Sequence, residues 1–247
     1  MSKNRKFPGI EYLAAGLMVI VAATVLGMYL SRTVEITEIE LAGIEMADAD
    51  AVIQASGLEE GMHGDSIAFL DVMEKVESLP WVKTAYVSLS QSGRLRIRVD
   101  EEQSMALLVD QGRTALVTES GIILPVVLGK SVDVPLLYGF SVPDRLRQGD
   151  KPDTLRSGSF GKARSFLTTL RRYPGLYAAV SEVMVTDTDG VVALTDENAV
   201  RLTFGHEQFD QRIRKWRAFQ SQVVSEKGID HVRSLDLRFH GQIVARE

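Results

Sequence analysis

The four histidines, His63, His206, His231 and His240, are the first residues whose type could support metal binding or proton transfer. No two of them stand at helical i, i+4 spacing and no His-x-His occurs, so their spacing does not aim two imidazoles at one ion. Solvated or capping roles account for them better. Cysteine is absent, which excludes thiolate metal sites and disulfides and leaves the folded part to its apolar core. Asp187 and Asp189 could divide acid and base work on a glycan, but they adjoin Gly190 in an expected hairpin turn, where aspartate is favoured for conformational reasons. The glycines around Ser157 to Gly161 do not follow a strand as a phosphate-binding loop does, and no Gly-x-Ser-x-Gly elbow is present. No catalytic, cofactor-binding or metal-ligating residue is assigned. The expectation is a protein that is not an enzyme, needs no cofactor and takes no small-molecule substrate.

Charge and alternation mark surfaces for macromolecules instead. A formal charge of −5 argues against nucleic acid, which needs a basic face to neutralise phosphates. Arg171-Arg172, and Arg212, Arg214, Lys215 and Arg217, fall on the outer faces of expected helices, solvated by default and able to meet an acidic partner helix. Arg94, Arg96 and Arg98 share one face of a strand, where three like charges repel unless solvated or matched by acidic neighbours. From Leu235 to Gly241, Leu235, Leu237 and Phe239 alternate with Asp236, Arg238 and His240. A strand so late in a chain often lies at a sheet edge, where unpaired N–H and C=O groups can accept another chain's strand. The opposing readings are an ordinary core strand, or an edge guarded by its charges.

These residues need elements to position them, and hydropathy periods supply an α+β pattern. Val34 to Ala42 reads as a strand whose alternation slips between Ile36 and Ile39, and Gly43 ends it. Asp48 or Asp50 caps a short helix stopped by Gly57; Asp65 or Ser66 caps a second, with Ile67, Leu70, Met73 and Val76 inward. Two strands follow, Ala85, Val87 and Leu89 facing as Leu95, Ile97 and Val99 do, with a turn at Gln91-Ser92-Gly93. Strand, helix, helix, strand, strand is a complete small unit by the layer rule. Beyond it, Met105 to Val109, Thr114 to Val117, Ile122 to Val126, Val134 to Tyr138, Met184 to Thr186, Val191 to Thr195 and Val200 to Phe204 are short apolar runs between turn residues. Helices over Ser159 to Tyr173 and Glu207 to Lys227 interrupt them, and both should lie across one face of an antiparallel sheet. Arg145 to Gly158 has no period and reads as a loop.

Upstream of all this, Tyr12 to Leu30 is uncharged over about 19 residues, long enough to cross a hydrocarbon core of roughly 30 Å. Lys3, Arg5 and Lys6 precede it, whereas Glu35, Glu38 and Glu40 oppose a lone Arg32 after it, which keeps the N-terminus cytoplasmic. A cleavable signal peptide would have a shorter apolar core and a small-x-small site after it; a buried core helix would carry a polar face. An uncleaved signal anchor is expected, delivering everything after it to the non-cytoplasmic side. Gly16 and Gly27 lack the GxxxG spacing of a helix-packing face.

Ile39-Glu40-Leu41-Ala42-Gly43, Leu79-Pro80-Trp81-Val82 and Leu235-Asp236-Leu237-Arg238-Phe239, in that order behind the anchor, resemble motifs of the FtsQ/DivIB family of bitopic bacterial cell-division proteins. Ile39-Glu40-Leu41-Ala42-Gly43 resembles the opening strand of its POTRA domain, and Leu79-Pro80-Trp81-Val82-Lys83-Thr84-Ala85-Tyr86-Val87 its leucine-proline-tryptophan-valine signature. Leu95-Arg96-Ile97-Arg98-Val99 with Glu101 or Glu102 resembles the next strand, Glu119-Ser120-Gly121-Ile122-Ile123-Leu124 the hairpin opening its β domain, and Leu235-Asp236-Leu237-Arg238-Phe239 its aspartate-leucine-arginine-aromatic strand. Ser104 departs from the proline that commonly follows the POTRA domain, and the tail before the anchor is short. The resemblance implies a cytoplasmic tail at 1–11, an anchor at 12–30, a POTRA-like domain at 34–102 and a β domain at 103–247. It further implies a non-enzymatic divisome assembly protein of the inner membrane, its bulk periplasmic and concentrated at the septum. Its partners would be FtsB-like and FtsL-like division proteins, linked through it to septal peptidoglycan synthesis. Leu235, Asp236, Leu237, Arg238, Phe239, His240 and Gly241 would receive the FtsB-like partner, with Phe239 the aromatic anchor, and Arg94, Arg96 and Arg98 would belong to a recruitment surface. The alternatives are a POTRA-bearing protein-translocation component, against which stands the lack of a train of barrel strands, and an anchored periplasmic cell-wall hydrolase.

Overall fold

The computed structural model describes residues 16–23, 34–144, 146, 153–224 and 232–246. Residues 16–23 are helical; the rest of Tyr12 to Leu30 and the tail 1–11 lie outside the described residues, among which no helix is long and apolar enough to cross a membrane.

The first layer pair is a three-stranded sheet with two helices on one face. Its strands are β1 (Glu38–Ala42), β2 (Val82–Leu89) and β3 (Arg94–Glu101), ordered β1-β3-β2. β3 runs parallel to β1 and antiparallel to β2. The slip seen in the sequence has a cause: Ile36 donates to the carbonyl of Met62 and accepts from Gly61, so residues 34–36 pair with a loop and only Glu38 onward joins the sheet. Asp48 caps α1 (Ala49–Ser56) by accepting from the Asp50 amide, and Gly57 ends it at φ 62°. The second helix departs from expectation. Gly64–Ser66 is a separate 3₁₀ turn and α2 (Phe69–Glu77) starts later, burying Val72 and Val76 while Leu70 stays 74% exposed. Val72 and Val76 are the β-branched pair at i, i+4, and they rotate the buried stripe away from Leu70. Leu95, Ile97 and Val99 are buried as expected. Gly93 closes the β2–β3 turn at φ 83°, where a Cβ would stand 2.5 Å from the Glu35 carbonyl oxygen, so only glycine fits.

The second sheet has nine strands in the order β12-β11-β10-β9-β8-β7-β4-β5-β6. They are β4 (Ser104–Asp110), β5 (Arg113–Thr118), β6 (Ile123–Leu124), β7 (Leu136–Tyr138), β8 (Val180–Thr186), β9 (Gly190–Thr195), β10 (Arg201–Gly205), β11 (Ser234–Asp236) and β12 (Val244–Arg246). This sheet is mixed, not antiparallel as expected: β4–β7, β7–β8 and β10–β11 are parallel pairs. Parallel neighbours require crossovers: helices supply two of them, and β5, β6 and the stretch before β7 make the third, from β4 to β7. α3 (Gly158–Leu170) and α4 (Pro174–Ala178) lie between β7 and β8, and α5 (Phe209–Phe219) between β10 and β11. Pro174, expected to stop a helix, sits at the first turn of α4, where its missing N–H costs nothing. Ser157 caps α3 by accepting from the Phe160 amide. α5 ends in a π-helical turn, Gln220–Val224, and the expected continuation through Lys227 lies outside the described residues.

Phe160, Ala163, Phe166, Leu167 and Leu170 of α3 join Phe209, Ile213 and Trp216 of α5 over the sheet residues Leu137, Val183, Val191, Leu202 and Phe204. Phe166 and Phe204 meet at 4.6 Å between ring centroids and Phe204 and Trp216 at 6.0 Å. The other core, under the first sheet, crosses into the second: Leu116 and Leu124 belong to it, and buried Trp81 donates its indole N–H to the Pro125 carbonyl at 3.1 Å.

Candidate partner-binding site

The sequence places Leu235 to Gly241 on one strand at an edge, and the structure changes both points. β11 stops at Asp236 and lies inside the sheet, parallel to β10 and covered on its other side by antiparallel β12, which sequence reading missed. β12 is three residues long and lies beyond Gly241, too short for a period to show. The outer edge therefore belongs to Val244–Arg246. Leu235 and Leu237 are buried core residues, whereas Phe239 is 46% exposed in the turn between the strands, beside exposed Arg238, His240 and Gly241. At the far edge of the sheet β6 is covered, because Ile123 donates to the Asp153 carbonyl and Leu155 to that of Gly121.

The turn is held from beneath and from the side. Lys215 reaches from α5 and donates to the carbonyls of Leu237 at 2.6 Å and Phe239 at 2.7 Å, while Arg212 donates to the carbonyl of Phe204. Both cations were expected on an outer helix face. At i, i+3 they border the buried stripe of Ile213 and Trp216, which lets them reach past it. Burial pushes the Lys215 ammonium below its ordinary value, with the nearby Arg212 charge adding to that, and burial also lowers Arg212. Arg238 donates through Nη2 to Asp236 at 2.6 Å and through Nη1 to Asp189 at 3.1 Å, and Arg201 donates to Asp189 at 2.8 Å. Its hydrogen bonds hold the Asp236 carboxyl below the usual carboxylate range. Asp189 is thus more than a turn former: it ties the β8–β9 hairpin to the C-terminal turn. Asp189, Arg201, Asp236, Arg238 and Arg246 line a shallow hollow of about 250 Å³ on the sheet face next to β12.

The arginine row is less basic than it reads. Arg94 and Arg96 lie on Glu38 and Glu40 of β1 at 3.2 and 3.0 Å, and Arg98 stacks on the Tyr86 ring at 4.4 Å with Asp100 3.9 Å away. The parallel register Glu38↔Arg94 and Glu40↔Arg96 makes these pairs, and no local spacing could reveal them. The remaining basic residues spread out: Arg171 donates to the Ser104 carbonyl, Arg214 pairs with Asp210, and Arg217 stacks on Tyr173.

His63 faces Glu35 at 3.6 Å, His240 is exposed, and His231 lies outside the described residues. Sequence reading found no Ser-x-x-Lys nucleophile motif, and this is corrected: Ser159 and Lys162 have that spacing, and Lys162 Nζ stands 3.3 Å from His206 Nδ1. Among the described residues no group of three or more His, Asp and Glu could hold a metal ion.

Comparison with known proteins adds family to geometry. The family model described as POTRA domain, FtsQ-type matches residues 34–102, and that described as FtsQ/DivIB, C-terminal related, matches residues 104–246. The chain is 29% identical over 245 residues to the cell division protein FtsQ of Rhodothermus marinus, covering 96% of this chain and 86% of that one. It is 29% identical over 248 residues to that of Salinibacter ruber, covering 96% and 93%. Among solved structures, the major extracytoplasmic domain of the cell division protein DivIB from Geobacillus stearothermophilus matches at 16% identity and a TM-score of 0.34, over 51% of this chain and 98% of that one, too distant to support an argument. A family match across the whole second sheet, preceded by an FtsQ-type POTRA match over the first, leads to one conclusion: the chain belongs to the FtsQ/DivIB family of bacterial cell-division proteins.

Proposed function

We propose that this protein is a non-enzymatic assembly component of the divisome: membrane-anchored, its two domains in the periplasm at the septum, where it gathers FtsB-like and FtsL-like partners and links them to septal peptidoglycan synthesis. The observation that carries the reading is the edge of β12, which has no further strand beside it among the described residues, next to an exposed Phe239, in a sheet whose opposite edge is covered by residues 153–155. A strand added there gains main-chain hydrogen bonds from the edge and an aromatic contact from the turn. The carried-over site residues, Leu235 to Gly241, divide accordingly: Leu235 and Leu237 seat the turn in the core, and Phe239 with Arg238 and His240 meets the partner. For the first domain the proposal keeps Arg94, Arg96 and Arg98 on a recruitment face, as an ion-paired surface in place of a basic stripe.

Co-purification from cells making the chain and its FtsB-like partner tests this. Phe239→Glu should weaken capture by about thirtyfold or more, as loss of an interface hot spot does, with circular dichroism and melting unchanged. Undiminished capture would remove Phe239 and strand addition from the account.

A further inference from the structure

A second surface lies where the two domains meet. A cleft of about 630 Å³ opens between the loop after β1, the linker from β3 to β4 and the strand-free stretch before β7. Met46, Val132 and Val134 give it apolar walls; Trp81 lies against it almost wholly buried, and the Arg171 guanidinium stands over the Tyr177 ring at 5.7 Å. Its charge is one-sided, with Glu45, Glu101, Glu102 and Asp133 against the single guanidinium of Arg171. Glu101 is already used: its carboxylate accepts from the amides of Glu45, Met46 and Ala47 at 2.7 to 2.9 Å and fixes that loop. Glu45, Glu102 and Asp133 make no ion pair among the described residues. Burial holds the Glu102 carboxyl above the ordinary carboxylate value, with Lys83 behind the linker offsetting it only in part, so its charge is under-compensated.

We infer that this junction cleft is a docking site for a lysine- or arginine-bearing peptide segment of a partner protein. A long cationic side chain fits both halves of the site. Its methylenes lie along Met46, Val132 and Val134, and its charged head meets Glu102, Asp133 and Glu45. The site is separate from the β12 edge and does not depend on what binds there. Because both domains line it, its occupant reads the pair together.

The protein contains two tryptophans, Trp81 buried against the cleft and Trp216 buried in the other core, so Trp216→Phe leaves Trp81 as the only indole reporter. The full chain carrying Trp216→Phe, in detergent, is titrated with two blocked hexapeptides, one alternating Lys and Leu, the other Glu and Leu. The basic peptide should give a saturable fluorescence change that weakens with salt, and the acidic one none. Glu102→Gln with Asp133→Asn should weaken binding about tenfold, and Arg171→Gln, which removes the one cation among the lining residues, should strengthen it severalfold. Melting curves establish that each variant is folded, and the gain in Arg171→Gln cannot come from unfolding. Equal responses to the two peptides, no saturable response, indifference to these substitutions, or a response matched by lysine amide alone would each overturn the inference.

Discussion

At the residue scale, the informative groups are those whose surroundings disagree with their type. Phe239 is an aromatic left outside while Leu235 and Leu237, four and two residues earlier, are fully buried. Glu102 is a carboxylate taken partly out of water, with the Lys83 charge offsetting this only in part. Burial raises its folded-state value above the unfolded one, so its ionisation works against folding: the protein is relatively favoured below the unfolded value and loses that advantage as pH rises through the folded one. Glu102→Gln should therefore melt about 1–3 °C higher than the parent at pH 7, the partial exposure of the group keeping the effect small. The gap should close toward pH 4. Parallel melts between pH 4 and 8 check it, and a gap that widens in acid would contradict the assigned cause. Asp236 has the opposite sign: its arginine-held carboxylate contributes stability at neutral pH that is lost as pH falls.

At the element scale, α5 acts as a support for the C-terminal turn. Its apolar stripe fixes it on the sheet, and Lys215, one turn beyond Arg212, then reaches two carbonyls of a segment more than twenty positions away. Lys215→Met keeps the stem and removes both hydrogen bonds. The expected loss of stability is about 1–2 kcal/mol, the scale of charge-assisted bonds at a partly exposed site. Capture of the FtsB-like partner should fall further than stability does, because Phe239 loses its fixed position, and Lys215→Arg should recover part of it. Urea melts alongside the co-purification assay separate the two effects; a binding loss no larger than the stability loss would reduce Lys215 to a purely structural role.

At the scale of the whole molecule, the two sheets share a core at their junction. Trp81, beside the leucine-proline that ends α2, packs with Leu116 and Leu124 from the second sheet and donates to the Pro125 carbonyl. Truncating it opens a cavity at the joint and leaves that carbonyl unpaired. Trp81→Ala should cost about 3–5 kcal/mol. Since the cavity borders both units, hydrogen exchange should rise in β2 and in β5–β6 alike, and protection lost only in β2 would mean that the domains do not support each other.

The local part of this architecture was legible in the sequence. Asp48 and Gly57 bound α1, Leu95, Ile97 and Val99 face inward by alternation, and Phe209, Ile213 and Trp216 recur at helical spacing, because caps and hydrophobic periods are set by neighbours within a turn or two. The order of motifs identified the family. Pairing between distant strands was not legible: the sheet is mixed because crossovers, two of them helical, carry the chain across it, β12 covers β11, and Glu38 and Glu40 neutralise Arg94 and Arg96 through a parallel register. Thus the residues determined that the Leu235 to Phe239 segment alternates apolar side chains, although its strand ends at Asp236. Only the packed sheet decided that its leucines are core, that its phenylalanine is surface, and that the open edge is one strand further on, since a backbone group is free or paired according to which segment lies beside it.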